Sequence, residues 1–193
     1  MSGYNILSTV MVAVTNALGK FIRVSSTTIS ELLTVSGRRF SNEFDLDYSN
    51  GQTRYFLYSL PAGATMTVGL QNRVFKARDG GADLEILWGS TGFTEGVLTP
   101  VFSEYNKYDG NNQFRVSEIT APTTEGTLRE SDFLTLLGRG QNTSGSVSSE
   151  LGFRLYEPGT FFIAKVTNVE NSNNRIHLSY AWIELSDTEV SLS

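Results

Sequence analysis

The sequence predicts an all-β protein: a jelly-roll-like β-sandwich with a partly helical N-terminal arm and one or two short helices. Three observations carry that expectation. The 193 residues include 18 glycines and no cysteine, with Ser, Thr and Asn plentiful, a mixture suited to strands and turns more than to helices rich in Ala, Glu and Lys. From Arg54 onward, Pro and Gly recur between apolar runs. Over Arg175–Trp182, Ile176, Leu178, Tyr180 and Trp182 alternate with Arg175, His177 and Ser179, the period-2 signature of a strand with one buried face.

The elements follow in chain order. Ile6, Leu7, Val10, Met11, Val14, Leu18 and Phe21 recur at three- and four-residue intervals, which predicts an amphipathic helix; Val10 to Val14 alone would also make a short strand. In TISELLTVSG, Thr28 and Glu31 have capping-box spacing and Gly37 can supply the left-handed C-terminal residue, so a short helix is expected there. Residues 1–45 thus read as an N-terminal arm for docking or oligomerisation, 46–187 as the sandwich and 188–193 as a C-terminal tail.

Within the sandwich, YFLYSL, TMTVGLQNRVFKA and ADLEILW are separated by Pro61-Ala62-Gly63 and Asp79-Gly80-Gly81. Such turns work because Pro presets φ and Gly permits φ > 0, and the run reads as a β-meander. Strands joined by long loops follow through GFTEGVLTPVFSEYNKYDGNNQFRVSEI. TLRESDFLTLLGRG, capped from Thr127 or Ser131 and closed by Gly138, predicts a short helix. A last hairpin is expected from FFIAKVTNVE and RIHLSYAWIEL, turned at Asn171–Asn174. The two segments that begin at a Pro/Gly turn and end in a strand bearing Trp88 or Trp182 echo one another, which favours a sandwich over an open sheet.

Composition narrows the function classes. Fifteen basic against twenty acidic residues give a net charge of −5, which argues against nucleic acid as a partner; the pairs Arg38–Arg39 and Lys76 with Arg78 read as solvated faces. The absence of cysteine removes disulfides, thiol nucleophiles and thiolate metal sites. The first apolar run lacks a positive n-region and is interrupted by Ser8, Thr9, Thr15 and Asn16, and no run reaches membrane-span length. The chain is therefore expected to be made in a cytoplasm, with no membrane partner.

No catalytic, cofactor or metal residue is assigned. His177, the one histidine, shares its strand face with Arg175 and Ser179 and reads as an inert outward residue; a single His also rules out multi-histidine metal centres. No G-x-S-x-G nucleophile elbow is present. In DLDYSNG the EF-hand positions six and twelve fall on Asn50 and Phe56, so the calcium pattern fails and a turn is expected. Asp79 and Asp83 flank what reads as a hairpin turn, and Gly138-Arg139-Gly140 follows a segment read as helix instead of opening one, so it is no phosphate cradle. Two surfaces remain as candidates. The stripe Leu7, Val10, Met11, Val14, Leu18 and Phe21 is expected to bury against a partner. Tyr105 and Tyr108, in a polar loop, are expected either to contact a glycan or partner or to cap the sandwich, as Phe93 and Phe102 are.

YFLYSLPAGATM, EPGTFFIAKVTNVENSNNRIHLSYAWIE and the polar Gly-rich linkers together resemble the β-sandwich virion proteins of tailed bacteriophages, over roughly residues 54 to 186. The shared features are a Pro or Gly turn opening a strand that ends in V-T-N, and a final strand ending in an aromatic residue followed by Glu. The resemblance implies a non-enzymatic virion protein, foremost a capsid decoration or cement protein, otherwise a tail fibre or adaptor component. It further implies capsid or tail proteins as partners and a homo-oligomer, a trimer foremost, attached by its arm. A carbohydrate- or receptor-binding module is the alternative. The family pattern has no catalytic or ligand motif to transfer.

Overall fold

The structure, a computed structural model, describes residues 9–15, 21–28, 38–103, 112–134 and 145–185, with side chains described over 38–103, 112–131 and 155–185. Among the described residues every regular element is a strand. These are β1 (Thr9–Thr15), β2 (Phe21–Thr28), β3 (Arg39–Tyr48), β4 (Thr53–Ser59), β5 (Thr67–Ala77), β6 (Ala82–Trp88), β7 (Glu95–Leu98), β8 (Phe102–Ser103), β9 (Arg115–Ile119), β10 (Thr127–Leu134), β11 (Gly145–Tyr156), β12 (Phe161–Asn168) and β13 (Asn174–Leu185).

Two antiparallel sheets make the sandwich, one ordered β10-β6-β12-β4-β9-β7 and the other β11-β5-β13-β3-β8. With β7 to β9 set aside, the eight remaining strands pair in nested fashion: β3 with β13, β4 with β12, β5 with β11, and β6 with β10. That nesting, completed by β5 beside β13 and β6 beside β12, is the jelly roll, two Greek keys folded over one core. The chain from β7 to β9 is an insertion between β6 and β10, widening the first sheet beyond β4 and adding β8 to the second beside β3.

Strand period explains which side chains meet. Phe56 and Tyr58 on β4, Phe162 and Val166 on β12, Phe75 on β5 and Ile176, Leu178, Tyr180 and Trp182 on β13 all point inward and are buried, as the alternation over Arg175–Trp182 predicts. Rings join the sheets: Tyr58 stacks on Phe162 with centroids 4.9 Å apart and meets Tyr180 at 4.6 Å. Phe44 lies 4.1 Å from Phe56, and Phe114, just before β9, meets Trp182 edge-on at 5.3 Å. Each such side chain contributes about 1.5–3 kcal/mol by leaving water.

Several expectations are corrected. Where the apolar spacing predicts a helix over 6–21, β1 and β2 form a hairpin of their own, Val10 opposite Thr27 and Val12 opposite Ser25. Val10, Val12, Val14 and the threonines are β-branched and stiff at χ1, and a matching run from Phe21 to Thr28 supplies a partner strand. The expected TISELLTVSG helix lies outside the described residues apart from Thr28, which ends β2. TLRESDFL is not helical but forms β10, paired along β6 from Thr127 opposite Trp88 to Leu134 opposite Ala82; the unpaired edge of β6 outweighs local helix propensity.

The meander and the last hairpin are corrected as well. Successive strands β4, β5 and β6 alternate between sheets, as do β12 and β13, so each Pro/Gly turn is an arch over the end of the sandwich and not a hairpin. The two echoing segments become two arches, β5-β6 and β12-β13, that interlock: β5 lies against β13 and β6 against β12. β3 spans the boundary expected at residue 45, so the sandwich begins at Arg39.

Candidate interaction surfaces

Polar residues inside and at the ends of the sandwich hold the arches. Asn168, fully buried, donates through Nδ2 to the carbonyls of Ser49 (2.9 Å) and Ser172 (2.8 Å), and its Oδ1 accepts from the Glu170 N–H at 3.1 Å. Asn174 accepts from the Asp79 N–H at 3.0 Å and donates to the Gly81 carbonyl at 3.2 Å. Glu170 accepts from the Gly81 N–H at 2.8 Å, and a Cβ on Gly80 would run into the Glu170 side chain. The loop read as a hairpin turn, Asp79-Gly80-Gly81, is therefore an arch tied down by the second arch. The Asn-rich run VTNVENSNN has the same use: buried amide groups satisfy backbone polar groups that strands leave open.

At the other end, Glu184 on β13 is 3% exposed and its Oε1 accepts from the backbone N–H groups of Gln113 (2.7 Å) and Phe114 (3.0 Å). Gln113 in turn accepts from the Thr65 N–H at 2.7 Å and donates to its hydroxyl at 2.9 Å. Ser103 pairs opposite Phe40. Tyr105 and Tyr108 fall between these fixed points, outside the described residues. Phe93 is half-buried against Phe161, centroids 5.9 Å apart, and Phe102 is half-buried on β8.

Between the sheets, Arg73 on β5 is 5% exposed and its Nη1 donates to Glu130 Oε2 on β10 at 3.1 Å. Leu70, Ile86, Tyr156, Phe162 and Tyr180 line a small cavity beside this pair, with room for about one water. The pair links the two sheets electrostatically. Arg73 shares its strand phase with Phe75 and Ala77, so a buried arginine was readable from spacing; its partner Glu130 was not, because its segment reads as helix. Tyr58, in the core nearby, is fully buried, and that burial holds its hydroxyl pKa well above the usual range.

The two outer faces differ. On the six-stranded sheet, Leu57, Leu87, Ile119 and Ile163 form a second apolar cluster with Tyr55, Phe93 and Phe161 packed on it. The chain from Gly89 to Phe93 and from Thr120 to Gly126 straps this side, with Thr91 bridged to Thr124 and Ser90 Oγ donating to the Glu125 carbonyl. Gly126 adopts φ +79 there, and a Cβ on it would strike the Trp88 carbonyl. Beside the cluster, Lys165 Nζ contacts Glu85 at 2.9 Å and Glu125 at 3.0 Å, and the Tyr55 hydroxyl donates to Glu125 at 2.9 Å. Burial works against the Lys165 ammonium, but its hydrogen bonds to Glu85 and Glu125 outweigh it and raise its pKa. Lys165 and then Tyr55 hold the Glu125 carboxyl below its ordinary value. Asp83 is raised, by partial burial and then by Glu85.

The outer face of the five-stranded sheet carries Ser41, Glu43, Asp45 and Asp47 on β3, Arg175, His177, Ser179 and Ala181 on β13, and Asn72, Val74 and Lys76 on β5. Arg175 binds Asp45 through two hydrogen bonds of 2.9 Å, which hold the Asp45 carboxyl below its ordinary value. His177 sits here opposite Asp45 and Lys76, half-buried on the outer side as its strand phase predicts.

Of the stripe expected to dock, Val10, Met11 and Val14 fall on β1 and Phe21 opens β2, while Leu7 and Leu18 lie outside the described residues. Among the described residues no cluster of His, Asp and Glu could hold a metal ion, and no helix is long and apolar enough to cross a membrane. No protein-family model matches the chain, and no curated protein matches it.

Proposed function

We propose that the protein is a non-enzymatic structural component of a tailed-phage virion, foremost a capsid decoration or cement protein, attached through its N-terminal segment. The observation that supports this reading is the use the fold makes of its polar chemistry. Asn168, Asn174, Glu170 and Glu184 tie arches and loop ends, Lys165 pins Glu85 and Glu125 on a sheet face, and Arg175 holds Asp45. These are tethers that harden a scaffold, while the inter-sheet space is filled by stacked rings. The β1–β2 hairpin forms a sheet separate from both layers of the sandwich, as an arm devoted to attachment would. Jelly rolls serve capsids and lectins alike, so fold alone does not choose between them.

The test is cosedimentation of the full-length protein, and of a variant lacking residues 1–37, with phage heads and tails separated on a gradient. Binding of the full-length chain to heads, lost with the arm, is the expected result. Binding to tails would move the protein to a fibre or adaptor. Binding to neither, with glycan binding that Tyr105→Ala/Tyr108→Ala abolishes, would replace the proposal by a receptor-binding module. An arm-deleted variant that still binds heads would sink the role given to residues 1–37.

A further inference from the structure

We infer that the outer face of the five-stranded sheet pairs with the same face of a second copy of this chain, about a two-fold axis running along β13. The inference rests on the pattern of charge across the strands. In register, Asp45 of β3 lies opposite His177 of β13, which lies opposite Lys76 of β5; Glu43, Ser179 and Val74 form the next row, and Ser41, Ala181 and Asn72 the one after. At the other end Asp47 lies opposite Arg175, whose carbonyl accepts from the Arg78 N–H at 2.9 Å. One side of the face is thus an acidic column, Glu43, Asp45 and Asp47, and the other a basic column, Lys76 and Arg78. Between them run β13 residues of which Ser179 and Ala181 are small.

Such a face is self-complementary in one orientation. A two-fold axis along the strands, placed over β13, lays β3 of one copy over β5 of the other, so that Asp45 meets Lys76 and Asp47 meets Arg78, twice, while Arg175, its charge offset by its own Asp45, and His177 face their counterparts across the axis. An axis across the strands would lay β3 over β3 and set acid on acid, which costs several kcal/mol. β13 is the middle strand of the five, so the favoured axis lays β5, β13 and β3 of the two copies over one another, with β11 over the two-residue β8. Among the described residues Lys76 and Arg78 make no ion pair, Asp47 is 82% exposed with Arg175 no nearer than 3.9 Å, and Asp45, bound to Arg175, is still about half exposed and can take a second cation. The small residues Ser41, Ser179 and Ala181 let two sheets approach to the usual packing distance of about 10 Å.

The size is sufficient. The β3 strand is 10 residues long, and at about 3.4 Å per residue and about 4.8 Å per strand, β5, β13 and β3 present roughly 34 by 14 Å, or roughly 490 Å² per copy. Two copies would bury roughly 1,000 Å², at the lower bound for a specific pairwise interface. The opposite sheet has no equivalent need, because its apolar outer patch is packed by Phe93 and Phe161. The pairing holds whether or not the chain is a virion component, and its test reads the mass of the purified protein alone.

The experiment is sedimentation equilibrium of the full-length chain and of two charge-reversal variants, Lys76→Glu/Arg78→Glu and Asp45→Lys/Asp47→Lys. All four positions are exposed, and circular dichroism verifies that both variants fold. The full-length protein is expected to be a dimer, and each variant alone to dissociate at least about tenfold more readily. An equimolar mixture of the two variants is expected to recover the dimer, because each acidic column then meets a basic one on both sides. A monomer or a trimer of the unaltered chain overturns the inference, as does a dimer that both reversals leave intact or a mixture that fails to reassociate.

Discussion

On the outer side of the six-stranded sheet, Leu57, Leu87, Ile119 and Ile163 lie under Phe93 and Phe161, and a strap of chain from the β6–β10 insertion crosses beside them. On the outer side of the five-stranded sheet the corresponding central strands carry Asp45, His177, Lys76, Ser179 and Ala181. Both faces belong to one sandwich and share one aromatic core, so core packing cannot account for the difference. What separates them is the insertion: the face that it covers is apolar, and the face on which the described residues lay no cover is polar, small and charged in columns. A sheet face thus records in its composition what lies against it.

The sharpest way to break that comparison is to place the same charge on both sides. Ile163→Asp, fully buried beneath the strap, should cost at least about 4 kcal/mol, because an unpaired carboxylate enters an apolar site. Ala181→Asp, on the bare face, should cost less than about 1 kcal/mol in protein too dilute to pair. Urea denaturation of both variants measures the gap; equal losses would mean that the second face is covered too. A step smaller, Gly126→Ala should cost about 1–3 kcal/mol, since φ +79 is strained for Ala and its Cβ meets the Trp88 carbonyl. The loss should appear as faster hydrogen exchange in residues 89–94 and 120–126.

Lys165→Met should cost about 1 kcal/mol, discounted because Glu125 is 44% exposed. The pH profile sharpens this case. Glu125 is held below its ordinary value of 4.5, so its contribution is full above that pH and lost as pH falls through the lowered pKa. Lys165 is raised above 10.5, so its contribution is full below that pH and lost as pH rises through the raised pKa. Thermal melts should therefore show Lys165→Met flatter than the unaltered protein on the acid side. Smallest of all, His177→Ala should shift stability by no more than about 0.5 kcal/mol in dilute protein; a larger drop in Tm would show that the outer face contributes to the monomer.

How much of this was legible in the sequence depends on what alternation encodes. A period of two says which way a strand's side chains point, and Ile176, Leu178, Tyr180 and Trp182 are buried as that period requires. It does not say which strand lies alongside, so Pro61-Ala62-Gly63 and Asp79-Gly80-Gly81 were readable as turns but not as arches between sheets. Over Val10–Val14 and Thr127–Leu134 the local pattern admits helix or strand, and a distant or neighbouring strand decides. The candidate surfaces were less legible still. Lys76 and Arg78 look like an ordinary solvated pair until Asp45 and Asp47 are placed two strands away, a relation that exists only in the folded sheet. Of the tethers, Asn168 sits in a run that reads as strand and Asn174 in one that reads as a polar turn, although their burial follows from backbone groups that no strand could satisfy.

The central place of β13 has a kinetic consequence. It is the last described strand in chain order, yet it lies between β3 and β5 and supplies Tyr180 and Trp182 to the middle of the core. Until it emerges from the ribosome, β3 and β5 each wait with an open flank, and β5 has only β11 beside it. Contacts this distant along the chain form slowly, and nascent chains stalled before Asn174 would carry two adhesive strands into a crowded cell. Completion of the sandwich is thus a single late event, the insertion of one strand between two others, and the yield of folded protein during synthesis should depend on how quickly that strand arrives.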